Sequence, residues 1–203
     1  MEKLNTTIII IDDDAKIQEG ALFIELGLEF ENVLLFEDPI EGIEYIHQNL
    51  GERILVLLDL SFPKNNPNGD EILDSIRKLS FLVPVIIWSG ANEDKDVYTS
   101  LINNRAFGYL AKNASSEEII SKLKEANNNM NNDISIALEE WILSHSKEQK
   151  EKPYMLTIDG NKLSLNDILK EIRLQSEIGK VFSKNLSKLT IDLLTRNKES
   201  FDD

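Results

Sequence analysis

Five short runs of consecutive apolar residues mark the first half of the chain: TTIIII (6–11), NVLLF (32–36), ILVLL (54–58), VPVIIW (83–88) and FGYLA (107–111). Runs of this length without alternation are what strands need when both of their faces are buried, so a parallel sheet is expected. The stretches between them carry apolar residues at helical spacing: Ile17, Ala21, Ile24 and Leu28; then Ile40, Ile43 and Ile46; then Ile72, Ile76 and Leu79; then Val97, Leu101 and Ile102. Strand and helix therefore alternate. With right-handed crossovers this predicts an α/β fold, a five-stranded parallel sheet doubly wound with helices on both faces, whose sites form at the carboxyl ends of the strands.

A further helix is predicted from Ser115, whose hydroxyl and Glu118 make a capping box, to the asparagine-rich NNNMNN at 127–132. Asparagine favours turns over helix interiors, so the first domain is expected to span residues 1–128. Beyond it, residues 133–203 are expected to form a mainly α-helical C-terminal region. A short helix from Asp133 to about Ser146 shows an apolar face of Ile134, Leu138, Trp141 and Ile142, and the charged run at 146–153 reads as a linker. Asp159-Gly160 between two β-prone pieces predicts a tight hairpin. A long helix is then expected over 165–196. Its seam of Ile168, Ile172, Gln175, Gly179, Phe182, Leu186, Leu189 and Leu193 follows heptad-like spacing.

Composition narrows the function classes. The chain has 203 residues, 41% hydrophobic and 29% charged, in the ordinary range for globular proteins. There is no cysteine, which excludes thiol catalysis and zinc–thiolate sites. No apolar run is long enough to span a bilayer, so a cytoplasmic protein without a membrane partner is expected. The net charge of −14 disfavours nucleic acid over most of the surface. It is unevenly distributed: residues 1–146 carry 11 basic and 26 acidic side chains, and residues 147–203 carry 11 and 10.

Candidate chemistry gathers at one edge of the expected sheet. Asp12, Asp13 and Asp14 follow the first strand, Asp59 ends the third, Ser89 follows the fourth and Lys112 the fifth. Neighbouring carboxylates repel and are held together most readily by a hard divalent cation such as Mg2+. A carboxylate beside that ion can attack a phosphoryl group while Lys112 offsets charge on the transferring oxygens. Taken singly, each residue has an ordinary structural use as a turn, cap or surface residue. Their joint placement is what points to a site.

The motifs IIIIDDD, LLDLSFP, WSG and GYLAKN make residues 4–128 resemble the receiver domain of bacterial response regulators in two-component signal transduction. The resemblance implies the flavodoxin-like strand order 2-1-3-4-5 and Mg2+ held by Asp12, Asp13, Asp59 and the backbone carbonyl of Ser61. It makes Asp59 the phosphoacceptor, with Ser89 and Lys112 completing the reactive set and Tyr109 as the aromatic switch. It implies a cognate histidine kinase or phosphotransfer protein as partner, and a phosphoprotein of a phosphorelay that acts on no separate substrate and so is not an enzyme. Two departures stand out. Asn113 follows Lys112 where the family usually has proline, and the stretch from Asp59 to Gly69 is about two residues longer than the family pattern.

The C-terminal region matches no family motif we read in it. Its seam predicts a protein-interaction or homodimerisation helix controlled by Asp59 phosphorylation. The alternatives are a DNA-binding transcriptional regulator, for which Arg173, Lys180, Lys184 and Lys188 offer a basic stripe, or a stand-alone relay or phosphate sink.

Overall fold

The structure, a computed structural model, describes residues 2–63, 66–90, 106–157 and 159–196. The chain divides into two compact units, residues 1–131 and 132–203. In the first unit, strands β1 (Leu4–Ile11), β2 (Phe30–Phe36), β3 (Ile54–Leu58), β4 (Val85–Ser89) and β5 (Gly108–Ala111) form one sheet. Its order is β2-β1-β3-β4-β5 with every pair parallel, the doubly wound arrangement expected. Ile9, Ile11, Val56, Leu58, Val85 and Ile87 turn to one face. There they pack with Ile46 of helix α2 (Pro39–Gln48) and with Ile72, Leu73 and Ile76 of helix α3 (Gly69–Leu79). Ile8, Ile10, Leu55, Leu57 and Ile86 alternate with them and are fully buried as well, which is why these strands are apolar without a break.

The helix expected from Ile17 to Leu28 is broken. A 3-10 turn (Ala15–Glu19) ends at Gly20, and helix α1 (Ala21–Glu29) starts afresh. Its buried residue is Leu26, whereas Ile24 and Leu28 are 62% and 70% exposed, so the apolar spacing pointed to the wrong face. The helix expected from Val97, Leu101 and Ile102 lies outside the described residues. Helix α4 (Ser116–Asn132) runs through the asparagine stretch rather than stopping in it. The reason is that those amides find tertiary partners. The buried Asn127 accepts a hydrogen bond from the Thr6 hydroxyl at 2.8 Å, and Asn131 accepts from the Arg53 guanidinium.

In the second unit, α5 (Ile134–Leu143) is capped by Asp133 and buries Ile136, Leu138 and Ile142. Ile134 and Trp141, expected on that face, are 46% and 38% exposed. The helix is rotated because Glu139 turns inward, where the Arg173 guanidinium Nε lies 2.6 Å from its carboxylate. The segment at 146–153 is not an open linker: Ser146 and Gln149 make a reciprocal capping box for a short helix, α6 (Lys147–Glu151). Strands β6 (Pro153–Leu156) and β7 (Lys162–Ser164) form the expected antiparallel hairpin, and Gly160 takes φ +84° in its turn.

The single long helix is corrected to two, α7 (Leu165–Arg173) and α8 (Glu177–Arg196). Gln175 has φ +50°, which reverses the chain. The helices then cross so closely that a Cβ on Gly179 would lie 2.3 Å from the Glu171 carbonyl oxygen. The two weak positions of the heptad seam, Gln175 and Gly179, are thus the reversal and the crossing point.

Candidate functional site

Hydrogen bonds of the sheet bring the ends of its strands to one level. The amide of Asp12 donates to the Phe36 carbonyl at 3.1 Å, that of Asp59 to Ile11 at 3.0 Å and that of Lys112 to Ser89 at 2.8 Å. The three residues therefore leave the sheet at its carboxyl edge, where β2 and β3 flank β1 and strand order reverses. Asp12, Asp13 and Asp59 each offer a carboxylate oxygen within 4.8 Å of the others. Asp12 and Asp59 are buried, 1% and 6% exposed, and Asp13 is exposed.

Lys112 threads into this group. Its ammonium pairs with the Asp12 carboxylate and lies 3.5 Å from Oδ2 of Asp59. The other Asp59 oxygen, Oδ1, accepts from the Leu60 amide at 2.8 Å, and Oδ1 of Asp12 accepts from the Asp14 amide at 3.0 Å. Burial nevertheless raises the Asp12 pKa above the usual aspartate value. The hydrogen bond from Lys112 and the Asp14 amide oppose the rise, and the charge of Asp59 adds to it. The Lys112 ammonium does not offset what burying the Asp12 carboxylate costs. Such a donor set, all carboxylate oxygen and under-compensated, fits a hard divalent cation.

Ser89 is fully buried, and its carbonyl also accepts from the Tyr109 hydroxyl at 3.1 Å. Tyr109 donates to Gly90 as well, at 3.3 Å, which ties its ring to the end of β4. Ser61 is exposed just beyond Asp59. Lys112 and Asn113 occupy the centre of a turn closed by the Ala114 amide on the Ala111 carbonyl at 2.9 Å, with a trans peptide bond at Asn113. The departure from proline is accommodated by an ordinary turn. Nearby, the Gly69 amide donates to the Leu60 carbonyl at 3.1 Å and closes the base of the loop that follows Asp59.

Two contributors escaped the sequence reading. The Lys112 ammonium lies 4.2 Å from the centroid of the Trp88 ring, a cation–π contact; the indole N–H of Trp88 is buried with no hydrogen-bond partner among the described residues. Gly69 is the other: a Cβ there would meet Leu60 Cα at 2.5 Å and the Asp59 carbonyl oxygen at 2.8 Å. The only signals in the sequence were a tryptophan in a strand and a glycine opening a helix.

A doubly wound sheet with three aspartates and a lysine converging at its switch point defines an α/β domain with its site where such sheets bind ligands. Residues 8–124 match the response regulator receiver domain, and the chain belongs to that family. Over 124 residues it is 32% identical to the nitrate/nitrite response regulator protein NarL of Escherichia coli strain K12, a match covering 59% of this chain and 54% of NarL. The chain thus spans about half the length of the curated relatives it matches. A response regulator receiver domain protein from Clostridium thermocellum superposes with TM-score 0.55 at 27% identity, covering 61% of this chain and 95% of that one. A CheY-like receiver domain protein from Methanospirillum hungatei JF-1 gives TM-score 0.56 at 24% identity over 64% and 98% of the two chains, a likeness of fold alone. Among the described residues, no helix is long and apolar enough to cross a membrane.

Proposed function

We propose that the protein is a response regulator whose receiver unit takes a phosphoryl group on Asp59 from a histidine kinase or phosphotransfer protein and relays that state to residues 132–203. The observation that carries this reading is the convergence of Asp12, Asp13 and Asp59 within 4.8 Å with the Lys112 ammonium shared between two of them. Asp12, Asp13, Asp59 and the backbone carbonyl of Ser61 would be the oxygen donors that hold Mg2+. Bound there, Mg2+ supplies positive charge that offsets the phosphoryl oxygens during transfer.

The chain's own residues do the rest. A carboxylate oxygen of Asp59 attacks the donor phosphorus; an oxygen–phosphorus bond forms as the phosphorus–nitrogen bond of the phosphohistidine breaks, and the imidazole takes the electron pair. The Leu60 amide holds the second Asp59 oxygen, so the carboxylate is oriented before the donor arrives. Lys112, already 3.5 Å from Asp59, pairs with the incoming phosphoryl oxygens. The Ser89 hydroxyl hydrogen-bonds the product, and Tyr109, held on Ser89 and Gly90, follows that residue and reshapes the β4–β5 surface.

The output is assigned to protein interaction by the second unit, because its exposed surface is apolar along α8, where Val181, Leu189, Leu193 and Leu194 are all more than half exposed. The test is intact mass after incubation with Mg2+ and acetyl phosphate, for wild type and Asp59→Ala. One added phosphoryl group, absent from the variant, is the expected result. No adduct from acetyl phosphate or from active candidate kinases would sink the receiver reading and leave a constitutive interaction module.

A further inference from the structure

The second unit contains an apolar groove of roughly 640 Å³. One wall is the β6–β7 hairpin, through Leu156 and Leu163, and the floor is α8, through Ile178, Val181, Phe182 and Leu189. Leu156, Val181 and Leu189 are 64%, 52% and 54% exposed, so the groove is open along its length, and the apolar face continues past it to Leu193. Aliphatic side chains in such a row are not a surface that water stabilises. We propose that a second copy of this chain closes the groove, with the two α8 helices packed antiparallel about a twofold axis. The proposal rests on the reading of residues 132–203 as an interaction region and names its partner.

Charge selects both the partner and the direction. The charged residues lining the groove are Asp159 and Glu177, both acidic. Glu177, Lys184 and Lys188 lie seven and eleven residues apart, which places them within about 20° of one line on α8. That line flanks the apolar face. In an antiparallel twofold pair the same flank of each helix faces the other, so Glu177 of each copy meets Lys188 of its mate, twice over. A parallel pair would instead set this line against the opposite flank of the mate, away from Lys184 and Lys188, and leave Glu177 without that partner. Among the described residues of one copy, Glu177 pairs with the exposed Lys180, at 3.5 Å, a contact that contributes little and leaves it available. Antiparallel helix dipoles favour the same direction.

The size is sufficient. α8 is 20 residues long. A helix of that length spans about 30 Å, and covering its apolar face together with the hairpin wall removes on the order of 1000 Å² over two copies, the threshold for a specific contact. A reversible, moderately tight dimer is the expected strength.

The test is sedimentation of the full chain from low to high micromolar concentration, with and without Mg2+ and acetyl phosphate. Wild type is expected to show a monomer–dimer equilibrium. Leu189→Glu, at an exposed position where circular dichroism and melting should be unchanged, raises the dissociation constant by at least about tenfold. Glu177→Lys and Lys188→Glu each weaken dimerisation about two- to fivefold, and the two together restore it. The proposal is overturned by a monomer at every concentration in both states, by a dimer indifferent to Leu189→Glu, or by a charge swap that fails to restore pairing. Co-sedimentation of monomer with phosphatidylglycerol vesicles, lost in Leu189→Glu, would assign the groove face to a membrane and equally overturn it. A dimer indifferent to Asp59 phosphorylation supports the pairing while removing the phosphorylation-controlled reading of the output; a phosphorylated monomer does the reverse.

Discussion

The Lys112 ammonium sits 4.2 Å from the centre of the Trp88 ring while pairing with the Asp12 carboxylate. The ring and the carboxylate together hold a flexible four-carbon side chain in one place, which a carboxylate alone does less well. Trp88 is a positioning residue in this scheme, since it acts through Lys112.

Trp88→Leu is therefore expected to slow Asp59 phosphorylation by acetyl phosphate about two- to thirtyfold, the range of a cation–π contact. Trp88→Phe should keep most of the rate, and Mg2+ affinity should change little in either. Equal rates in wild type and the leucine variant, at matched folded fraction, would reduce Trp88 to core packing.

The buried acid at Asp12 gives the metal-free protein a pH signature. Its folded pKa is raised, so the unfolded chain loses this proton first as pH increases. Stability from this group is then lost as pH climbs from the unfolded aspartate value through the raised folded one, and the loss is constant above that. Asp12→Asn should remove this part of the slope, making the metal-free protein more stable at neutral pH than wild type. It should also abolish stabilisation by Mg2+. Urea titrations across that pH range, with Mg2+ and with chelator, decide it; an asparagine variant less stable than wild type without metal would contradict the assignment.

Gly69 is a structural requirement of the site. The Cβ of Gly69→Ala would fall 2.5 Å from Leu60 Cα, and the nearby Asp59 carbonyl is backbone that cannot swing away. The expected cost is about 1–3 kcal/mol, together with slower phosphorylation because Asp59 is displaced. Asn68→Ala, which removes the cap of α3 seen in the reciprocal Asn68–Glu71 bonds, should cost about 1 kcal/mol and spare the phosphorylation rate. Similar phosphorylation rates in the two variants would show that the close contact does not matter to the site.

In the second unit, Glu139 and Arg173 form a partly buried pair at 2.6 Å joining α5 to α7. Glu139→Ala strands a guanidinium away from water and should destabilise this unit by about 3 kcal/mol. Changing both residues to leucine should recover much of that. Trp141 fluorescence in a Trp88→Phe background follows this unit's unfolding.

The sheet was legible in the sequence because the central strands β1, β3 and β4 are buried on both faces and leave unbroken apolar runs, while the half-buried edge strands β2 and β5 still carry short ones. Asp12, Asp59, Ser89 and Lys112 were legible as candidates because each sits one step past such a run. What failed was of a different kind. Ile24, Leu28, Ile134 and Trp141 have helical spacing yet face outward, since which stripe is buried depends on tertiary partners such as the Glu139–Arg173 pair. The asparagines at 127–132 are poor helix formers in isolation, and contacts of Asn127 and Asn131 with Thr6 and Arg53 override that preference. The reversal at Gln175 was hidden because a positive φ at glutamine has no signature in sequence, and the heptad-like spacing runs straight across it.

The Gly69–Leu60 hydrogen bond closes a ring of backbone immediately after Asp59. Leu60 and Gly69 are thereby clamped together at the base of the loop. Adding residues to such a ring costs little in closure entropy, because that cost grows only with the logarithm of its length. The loop is a place where an engineer can alter what approaches Asp59 while Asp59 itself stays put.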